Sequence, residues 1–155
     1  MRLRRGEERD ADELARIKHA CYSRMTYLPP IPTLEEYGRF VRAILLPNQE
    51  VWVAEDEEGA VVGWFSVTDG SLEHIYVDPA LQNHGLGPEM LGAVMERMPG
   101  GFSLWTFQKN EGARRFYERH GLHAVEFTDG RDNMEREPDV RYEWAPAPDQ
   151  EGSTA

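Results

Sequence analysis

The segment that decides the fold is LEHIYVDPALQNHGLG, which occupies residues 72–87. Residues 72–77 are mostly apolar or aromatic, a composition typical of a β-strand. Helical spacing follows over 85–98 and predicts a helix that begins near Pro88, a residue that suits a first helical position. The segment is therefore expected to form a strand, a bend and a helix.

The bend carries two glycines, Gly85 and Gly87, which let the backbone come close to a bound anion. The unpaired N–H groups and the positive end of the following helix can then hold a pyrophosphate. Two better-known phosphate motifs are excluded. A dinucleotide fingerprint needs glycine where Met90 stands, and a Walker loop needs lysine where Ala93 stands, so neither NAD nor ATP is expected.

A second segment, NEGARRFYERHGL over 110–122, also has helical spacing and ends at Gly121. Asn110, Ala113 and Tyr117 are separated by three and then four residues, so they lie on one face of that helix. Two interpretations are open on this pattern alone. Asn110 and Tyr117 are either a helix cap and a core aromatic, or parts of a binding site.

Patterns along the whole chain predict the element order β-α-α-β-β-β-α-β-α-β-β. The expected strands cover 1–5, 51–55, 61–67, 72–77, 102–107, 124–127 and 140–144. The expected helices begin at Asp10 or Asp12, at a capping box of Thr33 and Glu36, near Pro88, and at Asn110. Because the third strand reaches the fourth through a helix, we expect a mixed, mostly antiparallel sheet of about seven strands with one parallel pair.

The fold class is therefore α/β, in the broad sense that includes α+β, with four helices. The chain length predicts a single domain, over residues 1–144. The polar residues 128–139 are expected to form a hairpin loop between the last two strands, and residues 145–155 a disordered tail.

Composition narrows the class of partner and the compartment. The net charge of −11 opposes nucleic-acid binding, because affinity for a polyanion comes largely from Lys and Arg. Cys21, the lone cysteine, has no second thiol for a disulfide or a zinc site. No apolar run is long enough to span a membrane, and the first five residues do not lead into a signal segment. We therefore expect a cytoplasmic protein without a metal, a nucleic-acid partner or a membrane partner.

Together the two segments resemble the signature of the GNAT superfamily of N-acetyltransferases. That signature is a hydrophobic strand leading into [Gln/Arg]-x-x-Gly-x-[Gly/Ala], here Gln82 to Gly87, and later Asn-x-x-Ala-x-x-x-Tyr, here Asn110 to Tyr117. By element order the resemblance covers about residues 1–144 and implies a three-layer α/β/α domain. It also implies an enzyme that transfers the acetyl group of acetyl-coenzyme A (acetyl-CoA) to an amine by direct attack in a ternary complex. Homodimers are frequent among similar proteins.

By the same resemblance, the coenzyme would lie against both segments. The bend would bind its pyrophosphate, the preceding strand would pair with the pantetheine amides, Asn110 would bond the pantetheine, and Tyr117 would lie near the thioester sulfur. The residues implied in coenzyme binding are Ile75, Tyr76, Val77, Gln82, Asn83, His84, Gly85, Leu86, Gly87, Pro88, Asn110, Ala113, Phe116 and Tyr117. The family often has Arg or Lys where Asn83 and His84 stand, so phosphate attraction at the bend is weaker here.

The implied chemistry needs an acid and a base. Acyl transfer expels a thiolate, which the Tyr117 hydroxyl can protonate. The acceptor amine must be neutral to attack, and Glu73 is the first candidate base, because strand alternation places it on the face of Ile75 and Val77. His74 is the second candidate, since histidine titrates near neutral pH, and a bound water is the third.

The acceptor is constrained least. In the family it lies near the first two helices, the loop between them and the closing hairpin. Candidate contacts here are Tyr22, Met25, Tyr27, Trp64 and the acidic residues over 132–137. An aromatic and acidic pocket suits a cationic amine of a small molecule or peptide. A non-catalytic acyl-CoA sensor, an enzyme for longer acyl chains and a nucleotide-binding regulator are the alternatives, and bulky Phe107 and Phe116 favour acetyl over longer chains.

Overall fold

The computed structural model describes residues 1–147, which form one seven-stranded sheet. The strands are β1 (Arg2–Arg5), β2 (Glu50–Glu55), β3 (Val61–Thr68), β4 (Ser71–Val77), β5 (Phe102–Phe107), β6 (His123–Phe127) and β7 (Asp139–Trp144). Their spatial order is β1-β2-β3-β4-β5-β7-β6. Among the described residues, β4 and β5 are the one parallel pair, which confirms the predicted mixed sheet.

The helices are α1 (Ala11–Ser23), α2 (Leu34–Phe40), α3 (Leu46–Asn48), α4 (Leu86–Arg97) and α5 (Glu111–Arg119). A π-helical turn (Val41–Leu45) joins α2 to α3, so residues 1–147 contain four helical segments, as predicted. Short 3-10 turns lie at Glu8–Asp10 and Pro79–Leu81. Within the described part of the chain, none of the helices has the length and apolar character needed to cross a membrane.

Two predicted helix starts are confirmed. Thr33 and Glu36 form the expected capping box, with each side chain bonded to the other residue's backbone N–H at 3.1 Å. Helix α4 begins at Leu86, within the predicted span and two residues before Pro88, and Gly85, with φ +81°, is its N-cap. Pro88 is then the third helical residue, a position whose N–H has no intrahelical partner, so proline costs nothing there.

The predicted tail falls mostly outside the structure. Residues 145–147 belong to no helix or strand, and the rest of the predicted segment 145–155 lies outside the described residues.

The sheet separates two apolar cores. Helices α4 and α5 cover one face, with Phe65 and Leu91 in the core between, while α1 and α2 cover the other face, with Val53 and Trp64 in its core. Phe65 and Trp64 are adjacent on β3 and fully buried, one in each core, as strand alternation requires. The arrangement is the three-layer α/β/α sandwich that the resemblance implies.

The parallel pair is the weak point of the sheet. Within residues 1–147, β4 and β5 share one Cα pair, Ser71 with Ser103, where the Ser103 N–H donates to the Gly70 carbonyl at 3.0 Å. Every other neighbouring pair of these strands has at least four Cα partners. Beyond Ser71 the two strands diverge, so the β5-facing edge of β4 lacks a ladder partner along most of its length.

Candidate active site

A cleft of about 1410 Å³ opens where β4 and β5 diverge. Strand β4 and the bend after it line one wall, and β5 with α5 lines the other. The end of α1, the loop that follows it and the loop over 128–139 lie around one end of the cleft. We call this the acceptor end and the part beside the bend the coenzyme end.

The coenzyme residues implied by resemblance lie along this cleft, with one exception. His84 is exposed and does not line it, because the bend directs that side chain away. Tyr76 also differs from its neighbours, since its ring packs into the α1–α2 core. Tyr76 therefore offers the cleft mainly backbone.

The coenzyme end is a helix N-terminus held by a glycine. Gly85 has φ +81° and Asn83 has φ +70°, so the chain turns sharply into α4. Among the described residues, the first amide of α4 to bond back is that of Glu89, to the Gly85 carbonyl at 3.4 Å. The amides before it are free to bind an anion, and the helix dipole adds to their attraction.

Two arginines on α5 supply the positive charge that the bend lacks. Arg115 and Arg119 are four residues apart, line the cleft and are exposed. Neither arginine was predicted from the sequence, because the family's basic residues are expected at the positions of Asn83 and His84. The helical spacing of Ala113 and Tyr117 could not identify these two arginines, because spacing alone does not show which side of α5 faces the bend.

Asn110 is a helix cap, one of the two interpretations left open by its spacing. Its Oδ1 accepts a hydrogen bond from the Ala113 N–H at 3.2 Å, so it caps α5. It also lines the cleft, and its Nδ2 donates to no group within residues 1–147. A role in binding stays a prediction.

Tyr117 is a buried tyrosine on the cleft wall. Its ring lies 5.5 Å from that of Phe116 and 5.9 Å from that of Tyr142, and its side chain joins the α4–α5 core. Burial, and to a lesser extent nearby Tyr22, raises the pKa of Tyr117 above its ordinary value. The hydroxyl therefore keeps its proton at neutral pH and can donate it.

A β-bulge in β4 changes the predicted alternation. The register between β3 and β4 shifts between Ser66 and Val67, which leaves Glu73 as an extra residue with no Cα partner on β3. As a result, Leu72 and Ile75 are three residues apart, yet both pack into the α4–α5 core. The bulge therefore moves Leu72, which strict alternation would place opposite Ile75, and the placement of Glu73 on the face of Ile75 stays a prediction.

The two candidate bases differ sharply in environment. Glu73 is exposed on the cleft wall, and its Oε1 accepts a hydrogen bond from Thr68 Oγ1 at 2.6 Å. His74 is largely buried, with Nδ1 2.8 Å from the Tyr76 hydroxyl. Burial, with a smaller effect of the Lys18 ammonium, lowers the pKa of His74 to about 3. Glu73 is the more exposed of the two on the cleft wall, so the geometry favours Glu73 as the base.

Aromatic rings line the acceptor end. Tyr22 and Tyr27 each pack edge-on against Phe107, at 6.2 and 6.1 Å between ring centroids, and Met25 lies beside them. Trp64, also proposed for this pocket, is not part of it. It is fully buried and its indole donates to the Leu14 carbonyl at 3.1 Å.

Acidic residues of loop 128–139 complete the acceptor end. Asp132 and Glu135, which the sequence analysis named by range, line the cleft, and so does Asp129, which it missed. Glu137 is buried instead and pairs with Lys109, 3.1 Å away. The acceptor end therefore carries aromatic rings and carboxylates, which suit a cation, beside the ammonium of Lys109, which also lines the cleft.

Loop 128–139 is closed on itself. Asn133 donates from Nδ2 to the Glu137 carbonyl at 2.7 Å and accepts from the Glu137 N–H at 3.2 Å. Gly130, with φ +81°, lies so close that a Cβ there would be 2.3 Å from the carbonyl carbon of Glu137. This closure of the loop thus requires glycine at 130, and bonds from Gln108 and Lys109 also hold the loop from outside.

Comparison with known proteins agrees with this geometry. The family model of the acetyltransferase (GNAT) domain matches residues 47–122. The peptidyl-lysine N-acetyltransferase YiaC of Escherichia coli (strain K12) is 34% identical over 87 residues, 56% of this chain and 58% of YiaC. The mycothiol acetyltransferase of Amycolatopsis mediterranei (strain U-32) is 35% identical over 71 residues, 42% of this chain and 24% of that protein. The match thus spans less than two thirds of either relative.

Solved structures share the fold. A GCN5-related N-acetyltransferase from Rhodopseudomonas palustris superposes with a TM-score of 0.75 at 18% identity, covering 94% of this chain and 95% of that one. The segment 47–122 that matches the family model contains the bend, the strands β4 and β5 between which the cleft opens, and α5. The chain therefore belongs to the GNAT superfamily of acetyltransferases.

Proposed function

We propose that this chain is an acetyl-CoA-dependent N-acetyltransferase that acetylates an amine by direct attack in a ternary complex. The divergence of β4 from β5, which ends at the α4 N-terminus, carries this proposal. The unpaired edge of β4 has N–H and C=O groups that need partners, and the extended amide-bearing arm of the coenzyme supplies them. The diphosphate then reaches the bend.

The bend and α5 approach each other closely beside the proposed phosphate site, because a Cβ added at Gly87 would lie 3.4 Å from the Phe116 ring. Asn110 offers its Nδ2 to the arm, and Arg115 and Arg119 offer positive charge to the phosphates.

Two side chains then handle the protons. Glu73 takes the proton from the acceptor ammonium, directly or through a water, because a protonated amine has no lone pair with which to attack. The amine nitrogen bonds to the acetyl carbon, the bond from that carbon to sulfur breaks, and the Tyr117 hydroxyl protonates the departing thiolate. The nitrogen then releases its second proton, through water, to the phenolate left on Tyr117. Glu73 thus acts as the base and Tyr117 as the acid, so mutation of each residue should affect a different proton transfer.

The proposed acceptor is a cationic amine, either a lysine side chain in a peptide or a small amine. The acidic residues Asp129, Asp132 and Glu135 and the aromatic rings at the acceptor end support this class. The relative YiaC is named for peptidyl-lysine acetylation, which is consistent with it. A cytoplasmic location and a homodimer stay predictions from the sequence and the family.

The test is to mix the protein with acetyl-CoA and a panel of lysine peptides, polyamines, amino acids and neutral amines, and to follow free thiol. Cationic amines should release thiol at a rate proportional to enzyme. Glu73→Gln should lower kcat at least about tenfold and flatten the rise of rate with pH. Glu58→Gln, at the exposed β2–β3 turn, is the matched control and should leave the rate unchanged.

Two results would contradict the proposal. Binding of acetyl-CoA by calorimetry without thiol release from any amine would identify a non-catalytic binding module. No binding of either free or acetylated coenzyme at millimolar concentration would remove the coenzyme from the function altogether.

A further inference from the structure

A buried cation lies behind the acceptor end, in a cluster that the proposed chemistry does not use. Lys18 is 5% exposed, and within residues 1–147 it forms no ion pair. Its Nζ lies over four rings, 4.2 Å from Tyr22, 5.2 Å from Tyr76, 5.3 Å from Tyr37 and 6.0 Å from Phe40. We call these five residues the Lys18 cage.

The cage leads by hydrogen bonds to the cleft. Lys18 Nζ donates to the Tyr76 hydroxyl at 3.0 Å, and that hydroxyl lies 2.8 Å from Nδ1 of His74. His74 lines the cleft next to Glu73. Three residues from two elements, α1 and β4, therefore form one chain that ends beside the proposed base.

The direction of each bond in the chain follows from the donors available. An ammonium can only donate, so the Tyr76 oxygen accepts from Lys18. The hydroxyl hydrogen of Tyr76 then needs an acceptor, and His74 Nδ1, 2.8 Å away, is one. An imidazole nitrogen that accepts carries no hydrogen, so in this arrangement a neutral His74 holds its hydrogen on Nε2.

We propose that Lys18 is a positioning residue which, through Tyr76, fixes His74 in the Nε2–H tautomer, so that His74 presents a hydrogen-bond donor to the acceptor side of the cleft. The tautomer itself is independent of the proposed function, whereas the use of that donor in acceptor binding rests on it. The consequence is a division of roles on β4, with Glu73 receiving protons and His74 donating a hydrogen bond.

The protonation states agree with this arrangement. Burial lowers the pKa of Lys18 to about 8, so the ammonium still predominates at neutral pH. Burial and Lys18 keep the pKa of His74 near 3, so its ring is neutral. The groups around Lys18 are tyrosines and Phe40, with Cys21 on its own helix and Glu135 of loop 128–139 as the acidic neighbours.

The Nε2 atom of His74 is available to a ligand. It makes no hydrogen bond within residues 1–147, yet it is not among the polar atoms of that range that are buried without a partner. It is therefore reachable from solvent. Trp64 and Phe40 pack against the ring, at 5.4 and 6.0 Å between centroids, and hold its plane.

One competing arrangement exists. The Tyr22 hydroxyl also neighbours Tyr76, and a bond from Tyr76 to it lowers the pKa of Tyr22 against the larger raising effect of burial. If Tyr76 donates to Tyr22 instead, His74 carries its hydrogen on Nδ1 and donates to Tyr76. The two arrangements predict opposite tautomers, so a spectroscopic measurement decides between them.

The experiment is long-range ¹H–¹⁵N correlation NMR of the intact protein with labelled histidine, with the His74 signals assigned by their loss in His74→Gln. The wild type should show the Nε2–H pattern. Tyr76→Phe and Lys18→Met should each give a mixture of the two His74 tautomers, whereas Lys18→Arg should keep the Nε2–H pattern of the wild type. Tyr37→Phe alters the same cage without touching the chain, so it should leave the pattern unchanged.

Turnover adds a functional readout. Tyr76→Phe and Lys18→Met should lower kcat/KM for the amine about tenfold while the Kd for coenzyme stays within about twofold, and Lys18→Arg should recover most of the loss. An Nδ1–H pattern in the wild type overturns the proposal even if every variant fails to fold. So does a tautomer that is unchanged in folded Tyr76→Phe, or a changed tautomer with unchanged turnover.

Discussion

The two ends of the cleft differ in the chemical groups that they offer to a ligand, backbone at one end and side chains at the other. At the coenzyme end, the binding groups are mainly backbone: the free amides at the start of α4, a glycine at φ +81°, and the unpaired edge of β4. At the acceptor end they are side chains from α1, from the loop after it, from β5 and from loop 128–139. A backbone site accepts one invariant ligand shape, while a side-chain site can be changed residue by residue.

This difference predicts where a mutation acts. A change at the coenzyme end should abolish binding of the shared co-substrate whatever the acceptor. A change at the acceptor end should alter rates selectively among amines. Four experiments test that separation.

The largest effect is expected from Gly85→Val. A β-branched residue at φ +81° must move the bend, which misaligns the amides at the start of α4. Losing one or two hydrogen bonds to the charged diphosphate costs about 3 kcal/mol of binding free energy, which is roughly a 100-fold rise in the Kd for the coenzyme. Gly59→Val is the matched control, because Gly59 has φ +84° and, like Gly85, nothing within 4 Å of an added Cβ. Calorimetry should show similar loss of stability in both variants and loss of coenzyme binding in Gly85→Val alone.

The next effect is that of Tyr117→Phe. If Tyr117 protonates the leaving thiolate, kcat should fall about 100-fold while the Kd for the coenzyme stays nearly constant. Tyr142→Phe is the control, since that ring lies 5.9 Å away and its hydroxyl bonds to Glu118 and Arg114 outside the cleft. Equal losses of kcat in the two variants would show that a buried hydroxyl is needed for packing rather than for proton transfer.

A third prediction concerns the pH dependence of the free energy of unfolding, which the buried Lys18 behind the acceptor end should change. Burial lowers the folded-state pKa of Lys18 from 10.5 to about 8, so the ammonium destabilises the fold below pH 8 and the penalty is relieved as pH rises through that value. Relative to Lys18→Met, the wild type should gain about 2.5 kcal/mol of unfolding free energy between pH 7 and 10. Chemical denaturation checks this. Lys109→Met, which removes a largely exposed lysine, should show no such pH-dependent difference.

The smallest effect is expected from Glu135→Gln. Removing one carboxylate from a partly exposed acceptor end should raise KM for a cationic amine about fivefold, near 1 kcal/mol, with kcat unchanged. Glu126→Gln, on β6 away from the cleft, controls for the change in net charge. An equal rise in KM for a neutral amine would mean that Glu135 shapes the loop instead of attracting charge.

The same contrast explains what the sequence could predict. Strand alternation, the capping box and the glycine bend are local patterns, so the element order and the parallel pair follow from them. The residues of the coenzyme end came instead from the resemblance to the family. The bulge at Glu73 is the local departure, because it places Leu72 and Ile75, three residues apart, in the same core.

The acceptor end depends on which distant segments meet, and no local pattern encodes that. Trp64 was assigned to it but is a core residue, while Asp129 was overlooked. Lys18 has the helical spacing of a core position on α1, between Leu14 and Tyr22. A buried lysine becomes visible only when three tyrosines from three segments are found around it.

The closure of loop 128–139 has an evolutionary consequence. Because Gly130, Asn133 and Glu137 contact one another, we expect residues such as Asp132 and Glu135 to tolerate exchange without refolding β6 or β7. If the loop contacts the acceptor as proposed, exchanging its outer residues between related acetyltransferases should change acceptor preference.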